Sequence, residues 1–192
     1  RLTHLVVGAT NGELFAVSTS EVYRQDDDTI WLVSGRLATS AALYRSADGG
    51  ANWAPATNDL IPGSITALYG DPASPALFVG LQGAGEPAAR RHGLWVSEDK
   101  GANWTPVGLG REDLRIWRIT RGARQRDLFL GATDAGTPPR SFVLRSRNDG
   151  RTWAMFEALR SDGNPGRLLA DLSAHPEDPD LLFITTQGGE LY

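Results

Sequence analysis

Residues 46–53 read Ser46-Ala47-Asp48-Gly49-Gly50-Ala51-Asn52-Trp53, and this stretch decides the fold because the chain repeats it. It recurs as Ser97-Glu98-Asp99-Lys100-Gly101-Ala102-Asn103-Trp104 and as Ser146-Arg147-Asn148-Asp149-Gly150-Arg151-Thr152-Trp153. The shared pattern is Ser-x-Asp/Asn-x-Gly-x-x-Trp, which we call the box motif. The three copies begin 51 and 49 residues apart. Self-similarity at such a period is typical of an architecture built from one repeated supersecondary unit.

Each box motif lies between two short β-prone runs, such as 93–96 and 104–107, and therefore predicts a hairpin turn. The acidic or amide side chain can accept hydrogen bonds from its own turn, and the glycine can take a positive φ. The tryptophan is expected to fold back over the turn. Because each copy offers one carboxylate that its own backbone occupies, we interpret the motif as structural. Its positions are Ser46, Asp48, Gly50 and Trp53; Ser97, Asp99, Gly101 and Trp104; and Ser146, Asn148, Asp149, Gly150 and Trp153. In the third copy, the sequence leaves open whether Asn148 or Asp149 caps the turn.

The strand pattern predicts an all-β fold, a β-propeller of four-stranded antiparallel blades, present here as an incomplete ring of about three to four blades. First strands are expected at 65–69, 116–120 and 168–172, and second strands at 77–80, 128–131 and 182–185. Earlier in the chain, 29–33 and 42–45 are expected as the second and third strands of one blade, and 5–8 with 13–16 as a hairpin of the blade before it.

These strands predict a single partial propeller domain over 1–192. Blade remnants are expected at about 1–20 and 167–192, with blades at about 21–60, 61–110 and 111–166. Residues 187–192 match 11–15, so both ends are expected to supply the same two strands and cannot complete one blade. An unpaired strand edge is an aggregation hazard. We therefore expect the sequence to be a fragment of a longer protein.

Composition excludes several function classes. With 41% hydrophobic and 22% charged residues, the chain is ordinary for a folded domain. No apolar run approaches the roughly 18 residues of a membrane-spanning helix, so no membrane insertion is expected. The sequence has no Cys, and its three His are far apart. We therefore expect no metal site and no cofactor. A net charge of −4 argues against a nucleic-acid partner.

The three box motifs resemble the Asp-box, or BNR, repeats of β-propellers, and the resemblance covers the chain from about Glu21 onward. Similar proteins include sialidases, sortilin-type receptor ectodomains, xyloglucan-cleaving glycosidases and photosystem II assembly-factor-like propellers. In that family the Asp-box is a structural turn on the face away from the functional one. The resemblance implies a bacterial protein outside the cytoplasm, whether periplasmic, secreted or on the cell surface.

A candidate binding surface is the rim formed by the connections between second and third strands, at 35–40, 82–92 and 134–140. Functional loops are commonly grafted on rigid scaffolds. Arg118, on a predicted innermost strand, could face the channel and bind a carboxylate bidentately. The interpretation that we favour is a solvated pair with Glu112, Asp113 or Asp127. The candidate rim residues for a ligand or partner are Glu86, Arg90, Arg91, His92, Arg118, Asp134 and Arg140.

Catalysis is less well supported by the sequence. Glycoside hydrolysis needs two carboxyl groups about 5 to 10 Å apart, and Glu86, Asp113, Asp134 and Asp171 are candidates whose separations the sequence does not give. We assign no catalytic residue and predict a non-catalytic binding or assembly scaffold. Its expected partners are a protein, the subunits of a larger assembly, or a carbohydrate. The alternatives are a fragment of a xyloglucanase- or sialidase-like glycoside hydrolase and a receptor-like peptide-binding ectodomain.

Overall fold

The computed structural model describes residues 2–8, 14–18, 21–24, 30–33, 42–56, 63–70, 74–83, 93–157 and 168–187. Within them, every regular element is a β-strand, and all paired strands with a recorded register are antiparallel. No helix in this part of the chain is long and apolar enough to cross a membrane. Two compact units are present, Arg1–Arg91 with Trp95–Pro106 and His92–Leu94 with Val107–Tyr192.

The first sheet of the first unit contains an insertion. Its strands are β1 (Leu2–Val7), β2 (Leu14–Ser18), β5 (Ala42–Ser46) and β6 (Ala54–Pro55), in that order. Between β2 and β5 the chain forms a separate two-stranded sheet from β3 (Glu21–Arg24) and β4 (Ile30–Val33).

This arrangement corrects the strands predicted for the first 60 residues. We expected 29–33 to pair with 42–45 inside a blade at about 21–60, with a remnant at about 1–20. Instead β5 pairs with β2, from Leu14 opposite Ser46 to Ser18 opposite Ala42, so one sheet spans both predicted ranges. The prediction failed because β4 and β2 are both short β-prone runs, and strand propensity alone does not say which of them pairs with β5.

The second sheet lies in the first unit except for Gly93, Leu94 and Val107. It joins consecutive strands: β7 (Gly63–Gly70), β8 (Leu77–Gly83), β9 (Gly93–Ser97) and β10 (Thr105–Val107). One apolar core unites it with the first sheet. The first sheet and the residue after β6 contribute Phe15, Leu43 and Ala56, and the second sheet and its box turn contribute Ile65, Leu68, Leu77, Val79, Leu81, Trp95 and Trp104.

The second unit repeats this plan. Its four-stranded sheet is β11 (Arg115–Arg121), β12 (Leu128–Thr133), β13 (Ser141–Ser146) and β14 (Ala154–Glu157), followed by a pair, β15 (Leu169–Ala174) and β16 (Leu182–Thr186). Its core joins Phe129 and Val143 to Leu169 and Leu172, with Trp117, Ala174, Leu182 and Ile184 packed against them. The first and second strands predicted here coincide with β11, β12, β15 and β16 within two residues at each end.

A register shift recurs in the first strand of every sheet except the β3–β4 pair. It falls between Leu2 and His4, Ile65 and Ala67, Ile116 and Arg118, and Leu169 and Asp171. A bulge of this kind bends a strand and re-aims the side chains that follow it. The four strand pairs are therefore built alike, and Arg118 and Asp171 occupy equivalent positions directly after their shifts.

Candidate functional site

The first box turn is closed by a ring of local hydrogen bonds. The Ser46 hydroxyl donates to Asp48 Oδ1 at 2.8 Å and accepts the Gly50 N–H at 2.9 Å. Asp48 Oδ1 also accepts the Asn52 N–H at 2.8 Å, while Oδ2 accepts the Asn52 side-chain amide at 2.7 Å. The Trp53 indole N–H donates to the Gly50 carbonyl at 2.9 Å. Both carboxylate oxygens are thus used within the turn.

The second box turn has the same bonds and one more. Asp99 accepts from the Ser97 hydroxyl at 2.8 Å and from Asn103 at 2.8 Å and 2.6 Å. The indole N–H of the buried Trp104 lies 3.2 Å from the Gly101 carbonyl oxygen and 3.3 Å from the Ala56 carbonyl oxygen. Ala56 directly follows β6 of the first sheet. This turn therefore also ties the two sheets of the first unit together.

The third box turn shows which residue caps it. Asn148 Oδ1 accepts from the Ser146 hydroxyl and the Thr152 N–H, both at 2.9 Å, and its Nδ2 donates to Thr152 Oγ1 at 2.8 Å. Asp149 instead occupies the left-handed region, at φ 56°, where the other copies have Gly49 at 75° and Lys100 at 63°. Asn148 is the cap, and the carboxylate of Asp149 lies within 4 Å of Arg121, which is mostly buried, and of the exposed Arg126.

Hydrogen bonding keeps the first two box carboxylates ionised. The amide side chain and N–H of Asn52, together with the Ser46 hydroxyl, lower the pKa of Asp48 to about 2. The same groups of Asn103, together with Ser97, lower the pKa of Asp99 to about 2. A general acid needs the opposite shift. These two aspartates are therefore suited to holding a turn and unsuited to proton donation near neutral pH.

A second polar group lies where 134–140 connects β12 to β13. The Asp134 side chain, 1% exposed, accepts the N–H groups of Arg140 at 2.7 Å and Gly136 at 3.2 Å on Oδ1. Its Oδ2 accepts from the Arg140 guanidinium at 2.9 Å and from Arg111 at 3.3 Å. We call Arg111, Asp113, Asp134, Arg140 and Phe142 the rim cluster.

Two arginines of the rim cluster flank one aromatic ring. The guanidinium carbons of Arg111 and Arg140 lie 5.0 and 5.6 Å from the centre of the Phe142 ring, within cation–π distance. Arg111 also binds Asp113 through Nε at 2.8 Å and through Nη2. The connection at 134–140 is therefore pinned from the inside by a buried carboxylate while its guanidinium groups stay partly exposed.

Both carboxylates of the rim cluster are held ionised. For Asp134, burial raises the pKa, but the hydrogen bonds from Arg140 and Gly136 outweigh it, so the pKa lies below the usual value. For Asp113, the hydrogen bond from Arg111 is the main cause of a lowered pKa. Asp113 and Asp134 thus share one arginine, whose charge opposes protonation of either.

Arg118 lies apart from the rim cluster, on β11 facing β15. Its Nε is 3.2 Å from Asp171 Oδ1 and 3.3 Å from the Leu172 carbonyl oxygen. Both side chains are about half exposed, 47% for Arg118 and 56% for Asp171. The pair favoured from the sequence, with Glu112, Asp113 or Asp127, is wrong, because β15 packs on β11 and brings Asp171 to Arg118. Asp171 is consequently an ion-pair partner rather than a free acid.

The sequence-predicted rim residues are therefore not one group in the described structure. Asp134 and Arg140 contact each other, Arg118 contacts Asp171, and Glu86, Arg90, Arg91 and His92 lie outside the described residues. Sequence reasoning missed Arg111 and Phe142 as members of the cluster. The nearest signal was Arg111 two residues before Asp113, but its reach to Asp134, 23 residues on, depends on tertiary structure. Among described residues, no three His, Asp or Glu side chains are placed to hold a metal ion.

A third feature is an apolar cleft in the second unit, next to a buried ion pair. Arg145 binds Asp127 and Asp180, and its guanidinium carbon lies 5.1 Å from the Phe129 ring centre. Beside it is a cavity of about 370 Å³, which we call the β14 cleft. The cleft is lined by Phe129, Val143, Arg145, Arg147, Ala154, Phe156 and Leu182.

Comparisons with known proteins find structural likeness only. No protein-family model and no curated protein sequence matches the chain. A crystal structure of a Niastella koreensis GH74 enzyme matches with a TM-score of 0.63 and 17% identity, over 94% of this chain and 24% of that one. The GH74 xyloglucanase from Xanthomonas campestris matches with a TM-score of 0.58 and 16% identity, over 95% of this chain and 34% of that one.

These similarities establish the fold. The two proteins are propeller enzymes, and the chain shares an all-β fold of antiparallel sheets with them. It spans about a quarter to a third of their length.

Proposed function

We propose that the chain is part of a β-propeller in which each four-stranded sheet is one blade, and that it acts as a non-catalytic scaffold for a protein partner outside the cytoplasm. The blades are β1-β2-β5-β6, β7–β10 and β11–β14, and β15–β16 begin a fourth. The repeated register shift in the first strands and the box turn after the third strands support this assignment. The fold shared with GH74 enzymes is consistent with it.

The non-catalytic assignment rests on the direction in which the pKa values of the carboxyl groups are shifted. Where hydrogen bonding and burial shift the pKa of a described aspartate, at Asp48, Asp99, Asp113 and Asp134, the shift is downward. Glycoside hydrolysis needs a carboxyl group with a raised pKa that faces a second one. The two acidic residues of the rim cluster, Asp113 and Asp134, both bind the guanidinium group of Arg111.

The rim cluster is the proposed partner surface. A buried carboxylate that takes four hydrogen bonds fixes the 134–140 connection, so this loop is pre-organised and loses little entropy on binding. Arg111 and Arg140 are partly exposed although they bind Asp113 and Asp134. The guanidinium N–H groups that these pairs do not use can donate to carboxylates of a partner surface. We therefore propose an acidic protein surface as the partner, either a separate protein or a subunit of a larger assembly.

The test is capture of the partner with two matched charge variants. Ala135→Glu puts a negative charge on the exposed part of the 134–140 connection, and Gln125→Glu puts the same charge on the exposed turn at the other end of β12. We expect a partner cross-linked to the immobilised chain to be lost with Ala135→Glu and retained with Gln125→Glu. Equal capture by both variants would contradict the proposed surface.

A glycoside hydrolase is the second candidate, favoured by the likeness to two GH74 enzymes. Its test is turnover of a panel of polysaccharides, including xyloglucan, and of sialosides. The scaffold proposal expects no product above the blank. Hydrolysis that disappears with Glu86→Gln or Asp171→Asn, while the fold is retained, would establish the enzyme instead.

A further inference from the structure

Two turns at one end of the β11–β14 sheet carry exposed arginines that the proposed function does not use. The turn between β11 and β12 carries Arg124 and Arg126, and the third box turn carries Arg147 and Arg151. A backbone hydrogen bond joins the two turns, since the Asp149 N–H donates to the Arg126 carbonyl oxygen at 3.1 Å. The four arginines therefore belong to one surface, which we call the arginine patch.

The third box turn does not need its two arginines in order to form. Ala47 and Ala51 hold the corresponding positions in the first box, whose serine makes the same hydrogen bonds to the cap and from the glycine N–H. Within the part of the chain that the structure describes, no carboxylate lies within 4 Å of the Arg147 or Arg151 guanidinium group. Neither the turn nor an ion pair therefore accounts for these two charges.

The other two arginines of the patch share their carboxylates with more buried arginines. Arg126 Nε lies 3.7 Å from Asp149 Oδ2, and Asp149 also pairs with the mostly buried Arg121. Arg124 Nη2 lies 3.8 Å from Asp180 Oδ2, and Asp180 is also bound at 3.1 Å by the β13 arginine, which is 14% exposed. The side chains of Arg124 and Arg126 are 51% and 76% exposed, and such exposed pairs contribute little to stability. The arginine patch therefore has an excess of positive charge.

A ligand for the arginine patch should carry several oxyanions, because each guanidinium group can bind one bidentately. Nucleic acid is disfavoured, since the chain has a net charge of −4 and a phosphate backbone needs a sustained basic surface. The exposed Glu177 and Asp178 also lie in the turn that supplies Asp180 to the patch. A sugar chain with separate carboxylate or sulfate groups needs only a local group of cations.

We propose that the arginine patch binds an acidic polysaccharide, a sugar chain that bears carboxylate or sulfate groups, with Arg147 and Arg151 as its main contacts. The choice of a polysaccharide rests on the proposed location outside the cytoplasm, where sugar chains are common polyanions. The patch and the rim cluster lie at opposite ends of the β11–β14 sheet, because β12 runs from the turn that contains Arg126 to the connection at 134–140. The chain can therefore hold a polysaccharide and a protein partner at the same time.

The test is titration of the chain with polygalacturonate, which carries carboxylates, and with dextran sulfate, at about 50 mM NaCl. We expect saturable binding to one or both polymers, weaker binding as the salt concentration rises, and no binding to neutral dextran. Arg147→Gln and Arg151→Gln should each weaken binding about threefold or more, and the double variant about tenfold or more. Arg115→Gln is the matched control, since Arg115 is exposed and lies opposite Thr133 at the rim end of the sheet. It should change the affinity less than about twofold.

Two charge variants separate this inference from the proposed protein surface. Gln125→Glu, in the turn between β11 and β12, should weaken polysaccharide binding and Ala135→Glu should leave it unchanged, which is the reverse of their expected effects on protein capture. Absence of binding to both anionic polymers would overturn the inference, as would equal losses with Arg115→Gln and Arg147→Gln. Tighter binding of duplex DNA through the same two arginines would also overturn it, because the ligand would then be a nucleic acid.

Discussion

The Trp104 indole N–H lies 3.3 Å from the carbonyl oxygen of Ala56, a residue 48 positions earlier in the chain. The same N–H is 3.2 Å from the Gly101 carbonyl oxygen of its own turn. One buried donor therefore closes a hairpin and also joins two sheets. The box motif in this position acts at long range as well as locally.

We expect Trp104→Phe to lower the free energy of unfolding by about 1–3 kcal/mol, because it leaves a buried carbonyl oxygen without its donor. Trp153→Phe is the matched control, since Trp153 is only partly buried and donates to Gly150 of its own turn at 2.9 Å. Trp153→Phe should lower the free energy of unfolding by less than Trp104→Phe does. Urea unfolding of both variants provides the measurement, and equal losses would contradict the long-range role of Trp104.

The box aspartates should make stability depend on pH in the acid range. The pKa of Asp99 is lowered from 3.8 to about 2 in the folded chain, so its stabilising effect is complete above about pH 4 and is lost as the pH falls toward 2. The double variant Asp99→Asn with Asn103→Thr copies the third box, where Asn148 and Thr152 make the equivalent bonds without a charge. Denaturant unfolding between pH 2 and 5 should show a shallower loss for the double variant, and an unchanged slope would refute the assignment.

The third box also predicts that the two substitutions are coupled. Asp99→Asn alone places an NH2 group opposite the Asn103 NH2 that donates to Asp99 Oδ2 at 2.6 Å, so the Asn103 amide has to turn over and present its oxygen instead. Adding Asn103→Thr replaces that donor by a hydroxyl that can accept. At pH 7 we expect the double variant to be more stable than Asp99→Asn alone, and additive losses in a double-mutant cycle would argue against this pairing.

Gly131 is fixed by its neighbour Trp117. A Cβ at Gly131 would overlap the indole ring of Trp117, whose N–H donates to Thr133 Oγ1 at 3.1 Å. We expect Gly131→Ala to cost about 1–3 kcal/mol, because the indole has to move out of place. Gly108→Ala is the control, since no atom lies within 4 Å of its added Cβ; thermal unfolding of the two variants should separate them clearly.

The rim cluster predicts unequal effects of its two carboxylates. Asp134→Ala removes the acceptor of the Arg140 guanidinium and of two backbone N–H groups, and it leaves Arg111 with Asp113 alone. It should destabilise the chain by about 1–3 kcal/mol. Asp113→Ala removes a carboxylate that is 43% exposed and should cost less than about 1 kcal/mol. Chemical denaturation measures both, and the reverse order would contradict the geometry of the cluster.

Local patterns in the sequence predicted the parts of the fold that depend on neighbouring residues. The turn at Asp99 could be anticipated because all of its partners lie within four residues of it. The strand pairing of the first sheet could not be predicted. Nothing in residues 30–33 shows that they belong to an inserted hairpin and do not pair with β5. The same limit applies to the site: the contacts of Arg111 with Asp134 and of Arg118 with Asp171 each join separate strands or loops, and only the tertiary structure brings them together.

The central claim is that four aspartates of the described residues, Asp48, Asp99, Asp113 and Asp134, hold structure and donate no proton. A carbon-13 NMR titration of their side-chain carboxyl groups tests it most directly. The account predicts that Asp48 and Asp99 titrate near pH 2 and that Asp113 and Asp134 titrate below the usual aspartate range. Titration of Asp113 or Asp134 above about pH 5, as a general acid requires, would contradict it.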